Sequence, residues 1–131
     1  MTILVFGKTG QVATELARLE NTHCLGREDA NLLTPDACHD AILGHRPRAV
    51  INAAAYTAVD QAEDNEDEAR AINASAPAAM ARACASLSIP LIQISTDYVF
   101  DGQGTDPWLP TSPTAPPVSY THLTLPTICS V

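Results

Sequence analysis

The chain has 131 residues, 46% of them hydrophobic and 17% charged, and a formal net charge of -8 from 7 Lys and Arg against 15 Asp and Glu. That length suits one domain with a real core, and the acidic balance argues against a nucleic-acid surface, which needs clustered Lys and Arg. No apolar run approaches the ~18 residues of a membrane span, and "MTILVFG" lacks the basic region and cleavage site of a signal peptide, so a cytoplasmic setting with no membrane partner is expected.

Thr2 to Phe6, "TILVF", is a continuous apolar and β-branched run, which suits a central parallel strand buried on both faces. The glycines of "FGKTGQVA" follow, and Val12, Leu16 and Leu19 then recur at helical spacing until the pattern fades at Glu20 and Asn21. His23 to Gly26 reads as a short second strand, with Asn31 to Leu33 as a candidate third. "TPDACHDAILGH" offers Thr34 as N-cap and Pro35 at the first helical position.

Arg48 to Ala55, "RAVINAAA", is the next strand and ends in small residues. The acidic stretch Asp60 to Glu68 reads as a solvated helix start, and Ile72, Ala76, Ala79, Met80, Ala83 and Leu87 then keep one apolar face, with Pro77 expected to kink or restart the helix. Pro90 to Ser95 is a further strand, and the proline-rich stretch from Gly102 to Pro117 reads as loop. Strands and helices alternating at these distances predict an α/β, doubly wound parallel sheet of order 3-2-1-4-5, with helices on both faces.

In such a sheet ligands bind off the carboxyl ends of the strands. Gly7 and Gly10 let the backbone approach a pyrophosphate, and the amides at the start of the next helix hold it without a basic side chain. At the end of the second strand, "LGRED" offers Gly26 where an acid for the adenosine ribose usually stands, and Arg27 is placed for a 2′-phosphate, so NADP(H) is favoured over NAD(H). The strands ending at Ala53 to Thr57 and at Ser95 to Asp97 reach the same crevice.

Cys24, Cys38, Cys84 and Cys129 show no C-x-x-C spacing, and His23, His39, His45 and His122 show no ligand spacing, so reduced thiols and no metal are expected.

"FGKTGQVA", "NAAAYTAVDQAE" and "ISTDYVFDG" in this order resemble the dTDP-4-dehydrorhamnose reductase family of the extended short-chain dehydrogenase/reductase superfamily, over residues 1 to about 117. The resemblance implies a Rossmann-like NAD(P)-binding fold, incomplete here at its C-terminal side. It implies that Gly7, Gly10, Gln11 and Val12 surround the pyrophosphate, that Asn31 (aspartate in the family) and Leu32 lie near the adenine, and that Ala55, Tyr56 and Thr57 line the ribose and nicotinamide. Ile94 would follow the nicotinamide edge, and Thr96 and Asp97 would meet the substrate sugar. The implied reaction reduces the 4-keto group of a dTDP-6-deoxy-hexulose to dTDP-L-rhamnose, with Thr96 hydrogen-bonding the carbonyl and a Y-x-x-x-K tyrosine giving the proton. Full-length relatives are expected to be about twice as long, with homodimers among their assemblies. An epimerase or dehydratase of the superfamily and a non-catalytic NADP(H)-binding regulatory subunit are the alternatives.

Tyr120 stands at the family tyrosine's distance from "TAP" at Thr114 to Pro116. Residue 121 is Thr where the family has Gly, residue 124 is Thr where the lysine belongs, and Pro126 breaks the helix that the motif needs. "VSYTHLTLPT", Val118 to Thr127, resembles the translation of a transposon-end adapter used in sequencing libraries. The expected organisation is therefore a truncated NAD(P)-binding domain over 1–117 and a non-native tail over 118–131, with nucleotide binding but no turnover.

Overall fold

The "TILVF" run forms β1 (Ile3–Phe6), whose side chains are apolar on both faces because both faces are buried. In the computed structural model, which describes residues 2–55, 64–94, 103–107 and 109–112, β1 pairs in parallel with β2 (Thr22–Leu25) and with β3 (Ala49–Asn52). β3 pairs in turn with β4 (Leu91–Gln93), giving a four-stranded parallel sheet of order β2-β1-β3-β4. The helices are α1 (Gln11–Leu16), α2 (Pro35–His45), α3 (Glu66–Arg70) and α4 (Ala76–Leu87), with a π-turn over Ala71–Ser75 joining the last two.

The register sorts the strand residues onto two faces. Leu4 lies beside Val50, and Phe6 beside Leu25 and Asn52. This face carries the core, where Leu4, Phe6, Leu25 and Val50 meet Cys38 and Ile42 of α2 and Ala76, Met80, Ala83 and Cys84 of α4. α2 and α4 also pack on each other. Burying a side chain the size of Ile42 or Met80 contributes about 1.5–3 kcal/mol.

On the opposite face α1 lies across β1 and β2 and buries Val5 and Ala13. Beyond α1 the same face is open among the described residues, so Ile92 is 54% exposed. Helices on both faces of a parallel sheet make this the expected doubly wound, Rossmann-like fold.

One local expectation changed. Asn31 to Leu33 is a turn and not a strand, because the Asn31 side-chain oxygen accepts the Leu33 N–H at 3.0 Å and the Asn31 carbonyl accepts the Thr34 N–H at 2.9 Å. The sheet therefore begins at β2. The helical spacing of Val12, Leu16 and Leu19 does not mark the buried stripe of α1: Val12 is 45% and Leu19 58% exposed, whereas Ala13 is fully buried. α1 sits so close to the sheet that a methyl group fills the contact, and the helix ends at Leu16. Pro77 stands in the first turn of α4, which restarts after the π-turn as its proline suggests, where a missing N–H costs no intrahelical bond.

At the starts of two helices sequence and structure agree. Thr34 precedes Pro35 at the first position of α2, which closes at Arg46 in the left-handed conformation (φ 47°). Glu66, Asp67 and Glu68 are exposed in the first turn of α3, where the helix dipole favours acids. Among the described residues no helix is long and apolar enough to cross a membrane.

Candidate functional site

The ladder hydrogen bonds run one residue past the strands and align four turns on the carboxyl edge of the sheet. Gly7 N–H donates to the Leu25 carbonyl at 2.9 Å, Ala53 N–H to the Phe6 carbonyl at 2.9 Å, and Ile94 N–H to the Asn52 carbonyl at 3.5 Å. Gly7, Gly26, Ala53 and Ile94 thus stand side by side, each just past the end of its strand.

Gly7 has φ 124°, a conformation that side chains resist. A Cβ there would lie 3.3 Å from the Ala13 methyl and 3.3 Å from the Ala53 carbonyl carbon, so Gly7 lets α1, β1 and the end of β3 close together. Gly10 is different: a Cβ on it would meet nothing within 4 Å, and its φ of -71° is ordinary. Gly10, Gln11 and Val12 are exposed at the start of α1, where the first helical amides lack intrahelical acceptors. The exposed helix start with open space at Gly10 suits a pyrophosphate, which backbone N–H groups can hold.

The second turn carries a correction. Gly26 was expected to leave the end of β2 without an acid, but the Glu28 carboxylate folds back over it. A Cβ on Gly26 would come within 2.6 Å of one Glu28 carboxylate oxygen and 2.8 Å of the other. Asp29 fastens the turn by accepting the Gly26 N–H at 2.9 Å, and the Gly26 carbonyl accepts from Asp29 and Ala30 at 3.1 Å each. Glu28 in turn accepts from Lys8 Nζ at 3.0 Å, joining the first loop to the second. Lys8 is held above its ordinary pKa by the hydrogen bond and charge of Glu28. Glu28 is held below its own, first by a hydrogen bond from its own backbone and then by Lys8. Arg27 is exposed and makes no ion pair among the described residues.

Asn31 and Leu32 follow. The Asn31 side-chain oxygen accepts the Leu33 N–H within its own turn, and Leu32 packs partly against the core. On the other side Ala55 is exposed and Ile94 is 43% exposed at the same edge. The fold therefore brings Gly7, Gly10, Gln11, Val12, Arg27, Asn31, Leu32, Ala55 and Ile94 to one rim. Tyr56, Thr57, Thr96, Asp97 and Tyr120 lie outside the described residues, as do Trp108 and Cys129.

Sequence reasoning missed Lys8, Glu28, Asn52 and Gln93. Asn52 is 1% exposed at the end of β3, donates to the Gln93 side-chain oxygen at 2.8 Å and accepts the Ala54 N–H at 3.2 Å. A polar residue inside the otherwise apolar run "AVINAAA" was the available signal. For Glu28 the signal was an acid two residues beyond a strand-end glycine, close enough to fold back over it.

Known proteins share this fold. The chain is 40% identical over 128 residues to the dTDP-4-dehydrorhamnose reductase of Escherichia coli strain K12, covering 88% of this chain and 42% of that protein. It superposes on the crystal structure of a dTDP-4-dehydrorhamnose reductase from Clostridium acetobutylicum with a TM-score of 0.81 at 34% identity, over 92% of this chain and 45% of the other. The dTDP-4-dehydrorhamnose reductase of Bacillus anthracis, solved in complex with NADP, gives a TM-score of 0.81 at 29% identity, over 88% of this chain and 43% of that one. The chain thus spans less than half the length of the relatives it matches. The family model described as "RmlD substrate binding domain" matches residues 1–125, and the chain belongs to that family.

Proposed function

We propose that this chain is the cofactor-binding half of a dTDP-4-dehydrorhamnose reductase, which uses NADPH, or NADH in its place, to reduce dTDP-4-dehydro-6-deoxy-L-mannose to dTDP-L-rhamnose. The observation that carries the reading is the first turn at the carboxyl edge of a parallel sheet, where Gly7 packs tightly on Ala13 and Ala53 and a Cβ on Gly10 would meet nothing within 4 Å. Family membership and the NADP complex of the Bacillus anthracis relative support it.

In this reading Gly7, Gly10, Gln11 and Val12 hold the pyrophosphate through backbone amides, and Arg27 stands on the adenosine side with Asn31 and Leu32. Ala55, Tyr56, Thr57 and Ile94 flank the nicotinamide and its ribose. The bound dinucleotide supplies the hydride. Thr96 hydrogen-bonds the substrate carbonyl oxygen, where negative charge grows as reduction proceeds, and Asp97 orients the sugar. The proton requires a tyrosine with a lysine one helical turn on, to bring the phenol below its usual pKa of about 10.

Tyr120 has the position and lacks the lysine, since residue 124 is Thr. The chain as it stands therefore binds nucleotide without turnover, and 118–131 is a non-native tail following the domain of 1–117. The setting is cytoplasmic.

Two measurements test this. Resequencing the locus should replace "VSYTHLTLPT" with a continuation that carries Y-G-x-x-K, and an unbroken genomic copy of the tail would remove that part of the reading. A protein bearing the continuation should oxidise NADPH when given dTDP-4-dehydrorhamnose. Activity on a different nucleotide sugar alone would reassign the substrate.

A further inference from the structure

We infer that Lys8 and Glu28 form a cofactor selector, a salt-bridged pair that reads the 2′ position of the adenosine ribose from the loops after β1 and β2. The inference rests on the dinucleotide reading above and adds the residues that set the choice between the two cofactors.

The geometry that points to it is the placement of Glu28 over Gly26. A strand-end acid meets a ribose by presenting carboxylate oxygens beside the last residue of the second strand. Here no side chain leaves Gly26, yet the two Glu28 oxygens lie 2.6 and 2.8 Å from where its Cβ would stand. The carboxylate thus reaches the acid's usual location from two residues further on. Its tether differs, because the turn is fixed by Asp29 while Glu28 is exposed and held only by Lys8 at 3.0 Å among side chains.

The pair has two ways to meet a ribose. With the bridge closed, Glu28 accepts a hydrogen bond from a 2′-hydroxyl, the arrangement that suits NAD(H). A 2′-phosphate carries up to two negative charges and is repelled by that carboxylate. It draws Lys8 away from Glu28 and shares it with Arg27, which has no ion-pair partner among the described residues. Glu28 then opposes the phosphate and Lys8 favours it, so the two residues act on the cofactor ratio in opposite directions. Both are solvent-exposed, so the selection is moderate and both cofactors are accepted.

The test uses the 131-residue chain and two adenosine-side probes that differ only at the 2′ position, 2′,5′-ADP and 5′-AMP. Binding is read from protein amide chemical shifts, and no turnover is needed. Glu28→Gln should raise the affinity ratio of 2′,5′-ADP to 5′-AMP by about three- to tenfold, and Lys8→Met should lower it by a similar factor. Unchanged thermal melting checks that neither variant has lost its fold. If the parent binds both probes and neither variant moves the ratio by twofold, the selector is refuted while the dinucleotide reading stands. If Arg27→Met abolishes the 2′,5′-ADP preference while Glu28→Gln and Lys8→Met leave the ratio unmoved, the selection belongs to Arg27 and the inference also falls. If the parent binds neither probe, the dinucleotide reading fails first and takes the inference with it.

Discussion

The Asn52 side-chain NH2 donates to the Gln93 side-chain oxygen at 2.8 Å, linking β3 to β4 on the side-chain side as well as through the backbone. Asn52 is buried, and its oxygen accepts the Ala54 N–H, so it also sets where the chain turns out of β3. Gln93 completes the network by donating to the Ile94 carbonyl at 3.0 Å. Asn52→Ala leaves the Ala54 N–H without this acceptor and is expected to cost about 1–3 kcal/mol. Gln93→Ala should cost less, because Gln93 is only half-buried. In urea unfolding the double variant should be less destabilised than the sum of the singles, since the first change already removes the bond. Strict additivity would show that the two side chains act independently.

The two glycines of the first turn make opposite predictions despite their shared motif. Gly7→Ala places a methyl group 3.3 Å from Ala13 and Ala53 at φ 124°, and should destabilise the fold by about 1–3 kcal/mol. Gly10→Ala meets open space and an ordinary φ, so its stability should stay within about 0.5 kcal/mol of the parent. The Gly10 methyl group instead projects into the proposed pyrophosphate site and should weaken nucleotide binding in a folded protein. Chemical denaturation beside nucleotide titration separates the two. Equal stability losses would show that the glycines have the same structural role.

These residues also show how far the sequence could be read. β1, the Gly7 turn and the N-terminus of α2 were legible because each rests on local chemistry: an apolar run, a tight strand-to-helix connection, a proline after a capping residue. The strand expected at Asn31 to Leu33 failed because a side-chain hydrogen bond to Leu33 competes with sheet pairing, and "NLL" does not announce that choice. The buried side of α1 does not follow the helical spacing of Val12, Leu16 and Leu19, since packing distance decides it, and Ala13 fits where Val12 and Leu19 do not. For the site, glycine spacing located the crevice. The pairs Lys8 with Glu28 and Asn52 with Gln93 were not legible, because each joins residues brought close only by the folded sheet.

The asymmetry between the two faces of the sheet gives a third prediction. Ile42 is fully buried between α2 and the sheet, and Ile42→Ala should cost about 2–5 kcal/mol. Ile92 carries the same side chain on the open face of β4 and is 54% exposed, so Ile92→Thr should shift stability by no more than about 0.5 kcal/mol. Parallel urea titrations test the contrast. A large loss at Ile92 would mean that the open face is covered in solution.

Alkaline pH probes the core through its thiols. Burial pushes Cys38 and Cys84 up to about 11, against 9.0 for an ordinary thiol. Below pH 9 both the folded and unfolded chains keep these protons, and the stabilisation is fully present. Between about pH 9 and 11 the unfolded chain ionises first and binds fewer protons than the folded one, so the free energy of unfolding falls as pH rises, and above that window the loss is complete. At about 1.4 kcal/mol per pH unit, each thiol contributes a decline on the order of 2–3 kcal/mol. Lys8, held above its ordinary pKa by the hydrogen bond and charge of Glu28, is the same in parent and variant and drops out of the comparison. Cys38→Ala combined with Cys84→Ala should therefore start less stable near pH 8, because two core sulfurs are gone, and then lose clearly less than the parent between about pH 8 and 10.5. Urea midpoints at the two pH values give the comparison, and an equal decline in both proteins would show that the buried thiols do not govern alkaline stability.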